Sequence, residues 1–252
     1  MKTMLKLENV CKSFGGVVTA DHVDMTVYAG EVHGLIGPNG AGKTTMLNLI
    51  SGIYDVDDGK IFFDNQEITN MHPHNRARMG LGRTFQVPRF LQRSSIRDNL
   101  MLGVDLADQF GFLKSFLGAK GESLDDELHL LMEIAGFTFD WREQITSLPF
   151  GKQKLMEIIR AMLTKPKLML VDEPAAGLNR KEIGNAIALL NLAAKERGIS
   201  VVLIEHAMDM IMDVCDQITV INFGKVIGEG TPDEVSSNED VITAYLGRDV
   251  NA

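Results

Sequence analysis

Apolar runs of two kinds alternate along the chain. In the first sixty-odd residues, Leu5–Val10, Val17–Val27 and Lys60–Asp64 predict strands, broken at Gly15-Gly16, Ala29-Gly30 and Asp57-Asp58-Gly59. Val32–Ile36 is a short apolar strand that runs straight into a glycine-rich turn. Three later bursts, Leu168–Val171, Val201–Ile204 and Ile218–Ile221, are unbroken, which suits central strands of a sheet covered on both faces. Helices fall between them. Asn179 followed by Glu182 is an N-terminal capping signal, Ile183, Ala186, Ile187, Leu190 and Ala194 recur at helical spacing, and Gly198 ends the run. Strand, helix, strand predicts an α/β fold with a mostly parallel sheet. From about Arg93 to Met162 the pattern is helical only, and an inserted helical lobe is expected there. The expected division is residues 1–92 and 163–252 for a core with a β subdomain, and 93–162 for the lobe.

Composition narrows the class. A chain of 252 residues, 45% hydrophobic and 23% charged, suits one globular domain and excludes a disordered or collagen-like chain. The net charge of −9 lacks the footprint of a duplex-binding protein, so no nucleic acid is expected. Cys11 and Cys215 lie far apart in no C-x-x-C pattern, so neither a disulfide framework nor a cysteine zinc site is expected. The first residues, Met1–Glu8, have no apolar run of the secretory kind, and no stretch approaches the roughly 20 apolar residues that span a bilayer.

The strongest chemical signal is Gly37-Pro38-Asn39-Gly40-Ala41-Gly42-Lys43-Thr44, which matches G-x4-G-K-[ST] between a strand and a helical run, Thr45–Ile50. Its glycines let backbone N–H groups turn toward phosphate oxygens, and the helix N-terminus adds its positive dipole end. Lys43 supplies a point charge for the β- and γ-phosphates, and Thr44 is placed to ligate Mg²⁺, with Thr45 beside it. The second signal is Leu168-Met169-Leu170-Val171-Asp172-Glu173-Pro174, an apolar strand ending in two carboxylates. Asp172 is the candidate Mg²⁺ holder. Glu173 points elsewhere, because side chains alternate along a strand, and is the candidate general base for an attacking water.

Together these motifs resemble those of the ATP-binding-cassette ATPases, and the likeness covers nearly the whole chain. The resemblance implies a P-loop (RecA-like) core, an N-terminal antiparallel β subdomain, an inserted helical subdomain, and Mg-dependent hydrolysis of ATP. It places Phe14 where an aromatic ring stacks on adenine. Gln86, in Thr84-Phe85-Gln86, falls at the Q-loop, which touches Mg²⁺ and the attacking water. His206, in Ile204-Glu205-His206, falls at the switch histidine, which contacts the γ-phosphate. Ala175–Asn179 matches the D-loop, with Asn where Asp is common. The signature, Leu-Ser-Gly-Gly-Gln in the family, is here Leu148-Pro149-Phe150-Gly151-Lys152. Gly151 and Lys152 would face a nucleotide bound by a second chain. Pro149 offers neither hydroxyl nor N–H, so slower turnover is expected.

Within the family, Arg83-Thr84-Phe85-Gln86, Asp172–Asn179, Leu203–His206 and the ending Ala244-Tyr245-Leu246-Gly247 resemble the ATPase subunits of branched-chain amino-acid importers. That likeness implies a peripheral protein on the cytoplasmic face of the cell membrane. Its partners would be two transmembrane permease subunits, a second ATPase chain (homo- or heterodimer) and, indirectly, a periplasmic solute-binding protein. Two other readings use the same residues: a soluble cassette ATPase of assembly or regulation, and the ATP-binding subunit of a lipid exporter. Six arginines between Arg76 and Arg97, with no acidic residue among them, are expected to face the membrane subunit. Phe110–Leu117, with three Phe, suits either lobe core or a partner contact.

Overall fold

The computed structural model describes residues 1–108, 124–137, 140 and 142–246, so the segment Phe110–Leu117 lies outside the described residues. A four-stranded antiparallel sheet is ordered β2-β1-β4-β5, from β1 (Thr3–Phe14), β2 (Val17–Tyr28), β4 (Asp58–Phe63) and β5 (Gln66–Glu67). A six-stranded sheet is ordered β10-β9-β3-β8-β7-β6. It contains β3 (Val32–Ile36), β6 (Leu81–Arg83), β7 (Leu168–Asp172), β8 (Ser200–Ile204), β9 (Gln217–Asn222) and β10 (Lys225–Gly230). Its pairings are parallel except the β9–β10 hairpin.

The central strands are mostly apolar because both faces are covered, and the buried polar pair among them, His33 of β3 and Thr219 of β9, is hydrogen-bonded at 2.8 Å. Val32, Met169, Val171, Val201 and Leu203 pack into one core with the helical side. Leu35, Leu168, Leu170, Val202 and Ile204 pack into another with β1, β2, β4 and the first helix. That alternation is the period-2 consequence of a sheet sandwiched between two layers. Among the described residues the helices are α1 (Lys43–Ser51), α2 (Pro73–Arg78), α3 (Ile96–Asp108), α4 (Leu124–Ile134), α5 (Phe150–Leu163), α6 (Arg180–Asn191), α7 (Met208–Val214), α8 (Pro232–Ser236) and α9 (Glu239–Leu246). Asn179 caps α6 as expected: its side chain accepts from Lys181 N and Glu182 N, and Glu182 returns a bond to Asn179 N. A π-helical turn, Leu192–Glu196, follows before Gly198 takes φ 66°. Among the described residues no helix is long and apolar enough to cross a membrane.

The arginine-rich stretch divides. Arg89, Arg93 and Arg97 are exposed, but Arg76 is only 2% exposed and faces no partner. Its guanidinium caps the C-terminus of α1, donating to Leu49 O at 2.7 Å and Ile50 O at 2.8 Å, and to Met71 O and Thr69 O. Orphan carbonyls at a helix end need such donors, and a five-donor planar fork serves two of them and two loop carbonyls at once. Burial lowers the Arg76 pKa to about 10. Arg83 likewise turns inward, donating to Ser51 Oγ at 2.7 Å. The expectation that all six arginines face a membrane subunit is therefore corrected, because two of them serve α1.

A second buried charge lies on α5. Glu157 is 3% exposed, and its Oε1 makes no hydrogen bond, with Arg160 Nη2 3.6 Å away. Burial pushes this carboxyl up to about 7, against the pull of Arg160 and of the Phe85 and Arg89 backbone N–H groups.

Two outcomes follow. Arg76→Met strands the α1 carbonyls and lowers stability by about 3 kcal/mol or more, a fall of roughly 6–12 °C in apparent Tm for a chain of this size, read by scanning calorimetry. Glu157 holds its proton more tightly folded than unfolded, so its effect on stability is lost as pH rises from about 4.5 to about 7. Glu157→Gln removes that dependence. Wild-type Tm falls relative to the variant between pH 5 and pH 8, and parallel curves would show that Glu157 titrates normally.

Candidate functional site

Strands buried on both faces release polar groups only at their ends. The chemistry therefore gathers where β3, β7 and β8 stop, at the carboxyl edge of the sheet. β3 ends in the turn Gly37–Gly42 and α1 follows at once. Two glycines make the turn possible. Gly42 sits at φ 108°, where a Cβ would meet Thr19 O at 2.2 Å, and a Cβ on Gly37 would lie 2.0 Å from Ile221 O. The turn is thus pressed onto β2 and β9 by backbone contact that only glycine permits. Pro38 is half-buried, Asn39 and Gly40 form the exposed tip, and Ala41 is buried, its N–H donating to Pro38 O at 3.2 Å.

Gly42 caps α1 in the left-handed region with no side-chain acceptor, so the first-turn N–H groups stay free for an anion. Lys43 folds back along the turn and donates to Gly37 O at 2.7 Å and Pro38 O at 2.9 Å. Desolvation lowers its pKa, with Glu173 and Asp172 opposing. Thr44 is exposed and Thr45 half-buried. Phe14 is half-open at the rim; its ring meets Tyr54 edge-on at 5.1 Å, and Lys12 Nζ lies 5.2 Å from its centroid.

Asp172 ends β7 opposite Ile204 of β8, and β8 separates β7 from β3. It is 4% exposed; burial raises its pKa and Arg83, Lys154 and Lys43 counter that. Thr84 Oγ1 accepts from Asp172 N at 3.2 Å. At Glu173 the chain leaves the sheet through φ 46°, a left-handed conformation that costs a non-glycine residue about 1–3 kcal/mol. The reward is the direction of its carboxylate. Gln86 Nε2 donates to Glu173 Oε2 at 2.7 Å, and His206 Nε2 stands 3.3 Å from Oε1. The three candidate catalytic residues, drawn from three separate segments, are in contact.

Gly151 and Lys152 belong to a different neighbourhood. A Cβ on Gly151 would lie 2.7 Å from the Glu182 carboxylate, and Lys152 Nζ sits 5.3 Å above the Phe137 ring. Their contacts are with the helical side rather than with the turn that holds Lys43. Pro149 caps α5 without a side-chain hydrogen bond, so the first turn of α5 lacks the hydroxyl that a serine would supply.

Three supporting residues escaped the sequence reading. Glu205, 4% exposed, accepts from Ala175 N at 2.9 Å, His206 N at 2.8 Å and Ala207 N at 3.2 Å, so one carboxylate ties the loops after β7 and β8 together. Tyr54 props Phe14. Lys154 of α5 is 3% exposed and donates to Glu173 O at 2.5 Å. Only the identity of Glu205, a charge directly after an apolar strand, could have signalled any of them.

The donor set suits Mg²⁺. It offers one buried carboxylate and one open hydroxyl, both hard oxygens, and among the described residues no cluster of three or more His, Cys, Asp or Glu could hold a metal alone. Mg²⁺ sites on phosphate substrates use few protein oxygens and take the rest from phosphate and water.

Known proteins are similar to this chain in sequence and fold. The ABC transporter family matches residues 20–176, and the family of branched-chain amino acid ATP-binding cassette transporters matches residues 225–251. The chain is 36% identical over 98% of its length, and 98% of the relative's, to the high-affinity branched-chain amino acid transport ATP-binding protein BraF of Pseudomonas aeruginosa. It is 35% identical to LivG of Escherichia coli, a protein of the same description, over 97% of this chain and 98% of that one. A nucleotide-free ATP-binding cassette from an ABC transporter superposes with a TM-score of 0.78 at 30% identity, over 97% of this chain and 99% of that one. Another cassette, in its ADP conformation, gives 0.78 at 31% identity over 98% and 100%. With the phosphate turn, the two-carboxylate strand end and the Gln86–Glu173–His206 cluster in one fold, this chain belongs to the ATP-binding-cassette family of ABC transporters.

Proposed function

We propose that the chain is the ATP-hydrolysing subunit of a membrane importer for branched-chain amino acids or a related small solute. It would work as one of a pair of ATPase chains beneath two permease subunits, fed by a solute-binding protein, at the cytoplasmic face of the membrane. The observation that carries the catalytic half is the Glu173 carboxylate held between Gln86 and His206. The solute class rests on the relatives, which are branched-chain amino acid transport proteins over nearly their whole length. The division into a core and a helical lobe at 93–162 is part of this reading.

ATP enters with its adenine against the open face of Phe14 and its phosphates along the turn from Gly37 to Thr45. The free N–H groups of that turn and Lys43 bind phosphate oxygens; Lys43 exchanges its two carbonyl acceptors for them. Thr44, Asp172 and Gln86 would hold Mg²⁺, which supplies neutralising charge on the β- and γ-phosphates when bound. Glu173 accepts the proton of the attacking water or orients it, Gln86 fixes the carboxylate, and His206 faces the γ-phosphate. Water attacks phosphorus in line and ADP leaves, so the residues supply position and charge rather than covalent chemistry. Gly151 and Lys152, whose neighbours in this chain are Glu182 and Phe137, would close on the nucleotide of the partner ATPase chain.

Glu173→Gln lowers kcat for ATP about 10²-fold or more, leaves ATP affinity within threefold, and accumulates an ATP-bound dimer by size-exclusion chromatography; full turnover would remove Glu173 from the mechanism. Pro149→Ser, which returns a hydroxyl and an N–H to the α5 N-terminus, raises turnover by up to about tenfold at one added hydrogen bond. In liposomes carrying the permease pair and its binding protein, leucine stimulates phosphate release and enters the lumen. Stimulation by lipid export substrate, with none by amino acid, would overturn the importer reading.

A further inference from the structure

The helix that follows the signature carries charges at Lys154, Glu157 and Arg160, spaced i, i+3 on one face of α5, and all three are turned inward at a site that the apolar stripe of α5 does not account for. Lys154 crosses to the end of β7 and donates to the main-chain oxygen of Glu173, which also accepts from Ala176 N at 3.3 Å. The ammonium lies 5.7 Å from the Phe150 ring, which in turn packs against the D-loop at Gly177. Arg160 donates to Arg89 O at 2.8 Å and covers the Phe90 ring at 4.6 Å, three and four residues beyond Gln86. Glu157 lies between them, toward Phe85 and Arg89. Thus one helix face holds the backbone of the residue that bears the candidate base and the backbone that leads away from Gln86.

We propose that Lys154 is a positioning residue for hydrolysis: its ammonium clamps the Glu173 carbonyl and so maintains the left-handed backbone that aims the Glu173 carboxylate at Gln86 and His206. This rests on Glu173 being the base. The physical reason is the conformation itself. A non-glycine residue at φ 46° reverts to the right-handed or extended region unless its peptide groups are held, and Glu173 is held on both sides, by Ile204 O on its N–H and, on its carbonyl, by Lys154 at 2.5 Å together with the longer bond from Ala176 N at 3.3 Å. A charged donor at a buried carbonyl is the stronger kind of hydrogen bond. Because the donor rides on α5, the aim of the base is set by where the signature helix stands. Arg160 of the same helix holds the backbone just beyond Gln86.

The test is steady-state ATP hydrolysis by the full-length chain. Lys154→Met, which keeps the length and apolar stem, lowers kcat about tenfold or more while KM for ATP stays within threefold, since misaim of a reacting group costs rate rather than binding. Lys154→Arg, which keeps a charged donor, restores kcat to within threefold of wild type. In a Glu173→Gln background, Lys154→Met lowers the residual rate less than twofold, because the clamp has nothing left to aim. A Lys154→Met chain with wild-type kcat, an effect confined to KM, or the full loss repeated in the Glu173→Gln background would each overturn the clamp. Should Lys154→Met fail to fold, Lys154→Gln, which stops about one bond short of the carbonyl, carries the same expectation and the same refutation. Wild-type turnover by Glu173→Gln alone would instead overturn the base assignment, so the two failures read differently.

Discussion

Burial of the central strands on both faces is the constraint from which the rest follows. A polar side chain inside β3, β7 or β8 loses its water and must find a buried partner, as His33 of β3 does in Glu31 and Thr219. Every group with chemistry to do is consequently expelled to one edge of the sheet. There the phosphate turn, Asp172, Glu173 and His206 emerge from neighbouring strands within reach of one another. The two cores on either side do more than stabilise: they make that edge the place where charge can gather.

Gathering charge at a buried edge then has to be kept from collapsing. Asp172 and Glu173 bring two carboxylates to the end of one strand, and Glu205 adds a third after the next. Each is answered differently. Asp172 has Arg83, Lys154 and Lys43 in its field. Glu205 is satisfied by three backbone N–H groups. Glu173 is answered by an amide and a histidine. Lys43 is the mirror case: a cation lying on two carbonyl oxygens, from which anionic phosphates can readily take it.

The motifs were legible because each is local. Gly37 to Thr44 must be continuous for a strand to turn into a helix around an anion, and Asn179 with Glu182 must stand three apart to cap one. The arginine stretch was misread for the opposite reason. Arg76 looks like Arg89 in sequence, yet it meets the end of α1 from a later segment, and only the packing of α2 against α1 separates a cap from a surface cation. Lys154 was invisible for the same cause, since a lysine in an otherwise amphipathic helix reads as solvent-facing until β7 is placed beside it.

The sequence by itself determined the α/β class, the phosphate turn and the strand that ends in two carboxylates, because those depend on residue order over a few positions and on periodicities of 2 and 3.6. The tertiary structure alone decided that Gln86, Glu173 and His206 touch, that Glu205 joins two loops, and that the backbone of Glu173 is held left-handed by a helix nineteen residues earlier. These are distances between segments far apart in the chain. They are set by how two layers close over a sheet, and no local pattern encodes them.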